Sequence, residues 1–332
     1  MNILVTGGCG FIGSNFIRYM LKKYRNIKII NLDKLTYAGN LNNLKDIEKD
    51  KRYKFIKGDI CNSKLVDSIL KRYTIYDIRY TTIINFAAET HVDRSIKDAT
   101  DFIKTNVEGV RVLLDVAKRY KIEKFQQIST DEVYGDIKKG FSKEPDKLLP
   151  NSPYAASKAA ADSLCLSYYH TYNLPIIITR SSNNFGQFQY PEKVMPLFIT
   201  NVIEGKKLPL YGDGKNIRDW LYVGDNCSGI DFILRKGKPG QVYNIGGGNQ
   251  IRNTDMAKAI LKKFNLKANR IKYVADRPGH DRRYALNSNK IKRLGWKPKY
   301  SFDKALTLTV DWYRKNLWWW KPLKRKAKII SW

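Results

Sequence analysis

The fold is decided by one stretch near the N-terminus, Ile3-Leu4-Val5-Thr6-Gly7-Gly8-Cys9-Gly10-Phe11-Ile12-Gly13. A short apolar run typical of a buried strand leads into closely spaced glycines, and the pattern of an amphipathic helix follows. Glycines at this spacing let the backbone turn tightly and approach a pyrophosphate, whose charge is stabilised at the helix N-terminus. An ordinary tight loop is the alternative, but the strand before the glycines and the helix after them favour a dinucleotide-binding turn.

Short apolar runs alternate with amphipathic stretches through the first 180 residues. The predicted strands are Ile3–Val5, Ile27–Leu32, Tyr53–Ile56, Thr82–Phe86, Lys124–Ile128 and Ile176–Thr179, and the predicted helices include Phe11–Tyr24, Ser63–Tyr73, Thr100–Tyr120 and Pro153–Tyr172. Repeated strand–helix alternation implies right-handed crossovers. The chain is therefore predicted to be an α/β protein with a doubly wound parallel sheet of the Rossmann type.

After Thr179 the pattern becomes less regular, and Asn183–Pro196 has the composition of a loop rich in Asn, Gln and Pro. We predict a dinucleotide-binding domain over residues 1–180, to which later segments return. The remainder, residues 181–332, is predicted to form mainly a smaller mixed α/β domain that binds the substrate.

Asp33 ends the second predicted strand, about 20 residues after the glycines, where an acidic side chain meets the adenosine ribose in such folds. A carboxylate accepts hydrogen bonds from the ribose and repels a 2′-phosphate, which favours NAD over NADP. Lys34 keeps NADP open as the alternative. Asp59 follows the third strand, where it meets the adenine or caps the next helix. The small residues after Phe86 either let the cofactor lie against the backbone or serve packing alone.

Tyr154 and Lys158 lie four residues apart and so share one helix face. A phenol has a pKa near 10, and a nearby ammonium together with a positive nicotinamide ring is expected to lower it. Tyr154 would then take the proton of a substrate hydroxyl as hydride leaves the same carbon. Ser129 and Thr130, at the end of the fifth strand, contact the reacting oxygen or cap the next helix.

Asp131 and Glu132 follow directly. They either complement a helix dipole or act on a ligand, since ligands bind at the carboxyl ends of parallel strands. Oxidation of a sugar at C4 makes the C5 proton acidic. One carboxylate can then remove that proton while a protonated carboxyl donates to the departing C6 hydroxyl, which requires two unequal pKa values.

Composition excludes several classes. No stretch of 18 apolar residues occurs, so no membrane insertion is expected. Four separated cysteines without a C-x-x-C pair predict reduced thiols in a cytoplasmic protein, and three histidines argue against a metal centre. The net charge of +30 suggests nucleic acid, but basic residues spread along the chain favour a solvated surface and no nucleic-acid partner. The aromatic and basic tail from Trp318 is of a kind that can bind membranes or nucleic acid, but we expect it to dock on its own protein or to fray.

The sequence resembles the extended short-chain dehydrogenase/reductase family, and within it the nucleotide-sugar 4,6-dehydratases. The resemblance runs over nearly the whole chain. It is carried by residues 6–13, 33–40, 86–95, 129–135, 154–158 and 218–220 and by Asp276-Arg277-Pro278-Gly279-His280. Sugar 4-epimerases resemble the chain elsewhere but lack the paired acids. Phe185 and Gln187 depart from the Tyr and Pro usual in the family, and Thr90 replaces a more usual Ser.

The resemblance implies NAD-dependent dehydration of a nucleotide-diphosphate-glucose, with dTDP favoured and UDP-glucose dehydration, 4-epimerisation and nucleic-acid binding as alternatives. It implies Asp131 as general acid at C6, Glu132 as base at C5 and Tyr154 as base at the C4 hydroxyl, assisted by Thr130 and Lys158. The implied cofactor contacts are Gly7, Gly10, Phe11, Ile12, Gly13, Asp33, Lys34, Leu35, Thr36, Asp59, Ile60, Phe86, Ala87, Ala88, Glu89, Thr105, Tyr154, Lys158 and Asn184. The implied substrate contacts are Thr90, Thr130, Asn183, Lys193, Val194, Pro209, Tyr211, Arg218, Asn253, Arg277 and His280. A homodimer through the two long helices Thr100–Tyr120 and Pro153–Tyr172 is also implied.

Overall fold

A parallel sheet of seven strands organises the computed structural model, which describes residues 1–75 and 82–327. The strands of the chain are β1 (Asn2–Thr6), β2 (Lys28–Asp33), β3 (Tyr53–Lys57), β4 (Thr82–Asn85), β5 (Lys124–Thr130), β6 (Ile176–Ser181), β7 (Asn183–Phe185), β8 (Leu208–Tyr211), β9 (Ile217–Tyr222), β10 (Gln241–Ile245), β11 (Gln250–Arg252) and β12 (Ile271–Val274). The main sheet has the order β10-β6-β5-β4-β1-β2-β3, and each neighbouring pair in it is parallel. The predicted doubly wound sheet is confirmed.

Helices cover both faces of this sheet. They are α1 (Phe11–Lys23), α2 (Ser63–Ile75), α3 (Val92–Lys97), α4 (Thr100–Ile103), α5 (Gly109–Arg119), α6 (Pro153–Tyr172), α7 (Val194–Ile203), α8 (Val223–Lys236), α9 (Asn253–Lys262), α10 (Asn289–Arg293), α11 (Phe302–Lys315) and α12 (Leu317–Lys326). Side chains of a strand alternate between the faces, so Ile3 packs in the core under α1 and α8 while Leu4 packs in the core under α2, α5 and α6. Burial on both sides explains why several of these strands carry apolar residues on both faces.

The second half of the chain contributes to two places. Strand β10 extends the main sheet beside β6, whereas β7, β9 and β11 form a three-stranded sheet and β8 pairs with β12. A third apolar core, which contains Trp220, Trp319 and Trp320, packs these strands against α7, α9, α11 and α12. The tail therefore docks on its own protein as predicted, up to Ala327, and its last five residues lie outside the described part. The division near residue 180 remains a prediction.

Two predicted elements need correction. The helix predicted over Thr100–Tyr120 contains a π-helical segment, Lys104–Glu108, between α4 and α5, where buried Asn106 bonds to the backbone of Glu89. The loop predicted over Asn183–Pro196 is wrong at both ends, because it contains β7 and the start of α7. Strand β7 has only three residues and pairs with distant β9, so local sequence could not reveal it. Pro196 is tolerated because it lies in the first turn of α7.

Candidate active site

The first cavity, of about 300 Å³, runs along the carboxyl ends of the central strands. Its lining includes the implied cofactor contacts Gly7, Gly10, Phe11, Ile12, Gly13, Asp33, Lys34, Thr36, Asp59, Ile60, Phe86, Ala87, Ala88, Glu89, Thr105, Tyr154, Lys158 and Asn184. Leu35 is the one implied cofactor contact outside this lining. Its backbone instead turns with φ of 59° and donates to Asp33. The catalytic candidates Thr130, Asp131 and Glu132 and the substrate candidates Thr90, Asn183 and Lys193 border the same cavity.

The glycine turn lies directly against the end of β4. Gly7 has φ of 70°, and a Cβ atom there would lie 2.5 Å from the Ala87 backbone nitrogen. A Cβ on Gly13 would lie 2.5 Å from the Gly7 carbonyl oxygen, because the turn doubles back over the start of α1. Glycine is therefore required here by both conformation and space. The turn presents backbone, and the N-terminus of α1, to the cavity.

Asp33 fixes the far side of this turn. Its carboxylate accepts hydrogen bonds from the backbone N–H of Cys9 and of Leu35, each at 2.8 Å. Burial raises its pKa, and the two hydrogen bonds oppose that shift. Lys34, the residue on which the NADP alternative rested, forms an ion pair with Asp59 at 2.8 Å. The Asp33 carboxylate and the paired Lys34 ammonium therefore fit a dinucleotide without a 2′-phosphate.

The two carboxylates follow β5 in a short 3₁₀ helix, Asp131–Tyr134. Thr130 caps this helix, since its hydroxyl accepts from the backbone N–H of Glu132 at 3.2 Å and lies 3.3 Å from Asp131 Oδ1. Asp131 is buried, and its Oδ2 has no hydrogen-bond partner among the described residues. Burial, and next the Glu132 carboxylate, hold the pKa of Asp131 well above its usual range. Asp131 is therefore protonated more readily than an ordinary aspartate.

Glu132 has a different electrostatic environment. Burial raises its pKa, but Arg277, Arg218 and Lys193 all act to lower it. The charges around the two adjacent carboxyls therefore differ. After burial, the largest effect on the pKa of Asp131 comes from the Glu132 carboxylate, whereas the largest effects on the pKa of Glu132 come from three cations. An acid and a base can coexist in this arrangement.

Tyr154 and Lys158 lie in α6, whose N-terminus is capped by Ser152 and begins with Pro153. The Lys158 ammonium donates to the Ile128 carbonyl at 2.6 Å. The protein groups by themselves shift the pKa of Tyr154 upward: burial, and next Glu132, raise it well above its usual range, although Thr130 opposes the shift. The predicted lowering depends also on the positive nicotinamide ring and stays a prediction. Burial also lowers the pKa of Lys158. The protein alone therefore keeps Tyr154 as a neutral phenol.

A second cavity, of about 330 Å³, adjoins the first. It is lined by the predicted substrate contacts Asn183, Lys193, Val194, Pro209, Tyr211, Arg218, Asn253, Arg277 and His280. Glu132, Asn183 and Lys193 line both cavities, so the Glu132 carboxylate lies at their junction. Lys193 also donates to the Thr90 carbonyl at 2.8 Å, which ties the two walls together.

Several buried polar atoms in these cavities lack protein partners. Within residues 1–75 and 82–327, Asn183 Oδ1, Asn184 Oδ1, Asn253 Oδ1 and Arg277 Nε have no hydrogen-bond partner. Buried polar groups are normally satisfied, so such atoms lining a cavity indicate contacts that a polar ligand completes. His280 approaches Asp276 at 2.6 Å, and burial with the nearby arginines lowers its pKa to about 4, so its ring is neutral at pH 7.

Sequence reasoning missed Asp93 as part of this site. Its carboxylate accepts from Arg277 at 2.6 Å and from the Tyr211 hydroxyl at 3.2 Å. The residue belonged to a stretch that carried the family resemblance, but its partners are 184 and 118 positions away. Tyr37, which lines the first cavity, and Glu192, which lines the second, were also not predicted. The departures from the family fit locally: Gln187 accepts from the Tyr222 hydroxyl at 2.9 Å, and Phe185 packs among Trp220, Tyr222 and Phe302.

Comparison with known proteins bears on this geometry. Residues 4–309 match the family described as GDP-mannose 4,6 dehydratase. A protein of Streptomyces niveus named dTDP-glucose 4,6-dehydratase is 47% identical over 329 residues, which cover 98% of this chain and 96% of that relative. The chain belongs to this dehydratase family. The predicted family resemblance is confirmed.

Two solved structures extend the comparison. The dTDP-glucose 4,6-dehydratase of Bacillus anthracis in complex with NAD is 52% identical, with a TM-score of 0.91 over 97% of this chain and 99% of that one. DesIV of Streptomyces venezuelae, a dTDP-glucose 4,6-dehydratase also crystallised with NAD, is 45% identical, with a TM-score of 0.93 over 97% of this chain and 100% of that one. Within the described residues, no helix of this chain is long and apolar enough to cross a bilayer. The same residues contain no group of His, Cys, Asp and Glu arranged to hold a metal.

Proposed function

We propose that this protein is an NAD-dependent dehydratase that converts dTDP-glucose to dTDP-4-keto-6-deoxyglucose. The observation that carries the proposal is the adjacent pair Asp131–Glu132 in the first cavity, of which Glu132 also lines the second. Burial raises both pKa values, but Glu132 and Asp219 add to the shift at Asp131, whereas three cations oppose it at Glu132. Tyr154 and Lys158 border the same space. Redox chemistry at one hydroxyl would not require the two carboxylates, whereas loss of water between two carbons requires an acid and a base.

In the first step Tyr154 accepts the proton of the C4 hydroxyl. Thr130 and Lys158 assist, the former through its hydroxyl next to the phenol and the latter through its ammonium at the end of β5. When bound in the first cavity, the cofactor would supply the hydride acceptor for C4 in its oxidised form and the hydride donor for C6 in its reduced form. Because the protein by itself raises the pKa of Tyr154, we expect proton transfer to depend on the positive charge brought by the oxidised cofactor.

In the second step the paired acids remove water. Glu132 takes the C5 proton, which the C4 ketone has made acidic, and the electron pair forms the C5–C6 double bond. The C6–O bond breaks as Asp131 donates its proton to the departing hydroxyl, and water leaves. Return of the hydride to C6, with return of the Glu132 proton to C5, completes the 4-keto-6-deoxy product. Asp131 suits the acid role because burial and Glu132 keep it protonated, and Glu132 suits the base role because three cations favour its charged form.

The second cavity is proposed to hold the nucleotide diphosphate. Arg218 is buried there and Arg277 is partly buried, and planar guanidinium groups suit phosphate oxygens. The name of the relatives, dTDP-glucose 4,6-dehydratase, supports thymine over uracil. The two bases differ by one methyl group, worth about 1 kcal/mol in an apolar pocket.

Mass spectrometry of the nucleotide sugar tests the proposal. The purified protein is incubated with dTDP-glucose and with UDP-glucose in separate reactions, and the product masses and initial rates are compared. Loss of one water from dTDP-glucose, at the higher rate, is expected. An isomer of unchanged mass would identify a 4-epimerase, and faster dehydration of UDP-glucose would reassign the nucleotide. Salt-dependent nucleic-acid binding without turnover of either sugar would refute the enzyme assignment.

We also propose a homodimer through α4–α5 and α6. Ile103 on α4 and Tyr172 at the end of α6 are exposed large side chains on these adjacent helices, and a second copy would bury them. Light scattering of Ile103→Lys, with Leu294→Lys as a matched exposed control, tests this. A monomer for the first variant and a dimer for the second are expected, and equal masses would contradict the proposal.

Cytoplasmic residence is a further part of the proposal. The four cysteines are free thiols, and three of them, Cys9, Cys165 and Cys227, are buried. Free thiols are typical of a reducing compartment. Detection of the protein in the soluble cytoplasmic fraction of its own cells is the expected result, and recovery from the medium would contradict it.

A further inference from the structure

The C-terminal helix α12 reaches the part of the molecule that supports the glycine turn. Trp319 is 2% exposed, and its indole Nε1 donates a hydrogen bond to Asn43 Oδ1 at 2.8 Å. Asn43, itself 1% exposed, lies in the 3₁₀ helix Leu41–Ile47, next to α1. The contact joins residues 276 positions apart. An aromatic residue of the tail thus touches the dinucleotide half of the protein.

Asn43 passes this contact to the glycine turn. Its Nδ2 donates to the carbonyl oxygen of Cys9 at 2.7 Å, and the backbone N–H of Asn40 donates to the same oxygen at 3.1 Å. On the other side the Cys9 N–H donates to Asp33. Because an amide group has one donor end and one acceptor end, the indole fixes which end faces Cys9. Trp319, Asn43 and Cys9 therefore form one series of hydrogen bonds, in which Trp319 donates to Asn43 and Asn43 donates to Cys9.

The same tail also supports the opposite wall of the first cavity. The hydroxyl of Tyr313 on α11 donates to the Gln189 carbonyl at 2.5 Å, and Gln189 lines that cavity. The neighbouring Phe188 packs against Trp312 and Trp319 at ring-centroid distances of 4.6 and 5.7 Å. Its ring also stacks with the Arg18 guanidinium from α1, at 4.2 Å.

We propose that Trp319 is a positioning residue for the cofactor site, acting through Asn43 on the peptide of Cys9. Without the indole N–H, Asn43 Oδ1 is left buried and unsatisfied, and its amide is free to rotate away from the turn. The turn then loses one of the bonds that hold it in the shape that receives a pyrophosphate. The inference rests on the proposed NAD-dependent function, which it deepens by naming a residue outside the cavity.

The test compares Trp319→Phe with Trp320→Phe. Both changes remove one buried indole donor and keep a large ring, but Trp320 donates to the Tyr313 carbonyl within the tail itself. The holoenzyme is mixed with isotopically labelled NAD, and the exchange rate of bound NAD is followed by mass spectrometry. We expect Trp319→Phe to release NAD about three- to tenfold faster than wild type, as loss of one buried hydrogen bond implies. Trp320→Phe is expected to exchange at the wild-type rate, even if its Tm falls equally.

A double-mutant cycle with Asn43→Ala separates this chain of contacts from general loosening. If Trp319 acts through Asn43, the double variant exchanges NAD no faster than Asn43→Ala alone. Additive acceleration, or equal acceleration by Trp319→Phe and Trp320→Phe, would overturn the proposal. Should Trp319→Phe not fold, Asn43→Ala against its exposed neighbour Asn42→Ala carries the same comparison. A wild-type protein that contains no NAD as purified and takes up no labelled NAD would instead refute the proposed function.

Discussion

The two cavities are built from different materials. One wall of the first cavity is backbone and small side chains, such as Gly7 and Ala87 at the ends of adjacent parallel strands and Gly13 at the start of α1. The second cavity combines apolar side chains with charged ones from scattered elements, among them Arg218 and Arg277, which donate hydrogen bonds to other protein groups. Backbone and small side chains recognise a ligand by letting it approach closely. Charged side chains in a cavity need other protein groups that neutralise their charge or accept their hydrogen bonds. The first cavity should therefore be sensitive to added atoms and the second to removed charge.

The largest effect is expected where the cavities meet. In the double variant Asp131→Asn/Glu132→Gln, formation of the 4-keto-6-deoxy product should fall by roughly 10⁴-fold or more, since each acid–base group contributes about 10²–10⁴. Slow oxidation at C4 should persist, because Tyr154 and Lys158 are untouched. Product mass and cofactor absorbance measured on the same samples separate the steps. Undiminished dehydration by this variant would show that the carboxylates are not the acid and base.

The next largest effect is expected when a cation is removed from the second cavity. Arg277→Met deprives a nucleotide diphosphate of one cation and removes the cationic member of the ion pair with buried Asp93. We expect KM for the nucleotide sugar to rise about 100-fold, the usual scale for truncating one member of a buried charged pair. Steady-state kinetics check this, with kcat changing less than KM.

Arg282→Met is the matched control for Arg277→Met. Arg282 lies on the same loop but pairs with Asp213 at the surface, where both side chains are about half exposed. Its KM should remain that of the wild type. A comparable rise in KM for both variants would mean that the second cavity responds to the net charge of the loop and not to a particular guanidinium.

Addition of a single carbon should disturb the first cavity. Gly7→Ala places a Cβ 2.5 Å from the Ala87 nitrogen at φ of 70°, whereas Gly205→Ala has φ of 71° with no atom within 4 Å. Both variants bear the left-handed conformational cost of roughly 1–2 kcal/mol, so the difference between them reports the clash. We expect Gly7→Ala to unfold at lower denaturant and to retain less NAD. Equal midpoints and equal NAD content would show that the turn can shift away from β4.

The same contrast explains what the sequence could predict. The cofactor contacts follow individual strands, so a local pattern such as the glycines or Asp33 predicts their position at the edge of a parallel sheet. Asp93 and Arg277 meet only because α3 and a distant loop pack together, and no spacing between them indicates this. Family resemblance supplied Arg277, but not its acidic partner. The π-helical segment 104–108 could not be predicted for a similar reason, because its buried Asn106 forms hydrogen bonds with Glu89 and Ser157, which are distant in sequence.

The smallest effect concerns the stability cost of the acid itself. Asp131 and Asp162 are both buried aspartates, but Asp162 accepts from Arg180 at 2.9 Å and from Ser129 at 3.0 Å, whereas Asp131 faces another carboxylate. A carboxyl whose folded-state pKa is raised stabilises the fold at low pH and loses that contribution as pH rises through the folded pKa. Asp131→Asn should therefore raise Tm, by roughly 1–2 °C per kcal/mol recovered, and the gain should grow from pH 5 to pH 8. Asp162→Asn should lower Tm, because it breaks a buried ion pair. Calorimetry at pH 5 and pH 8 measures both effects. A lower Tm for Asp131→Asn, or a gain in Tm that shrinks as pH rises, would mean that Asp131 is ionised and well solvated in the folded protein. The acid role at C6 would then need another residue.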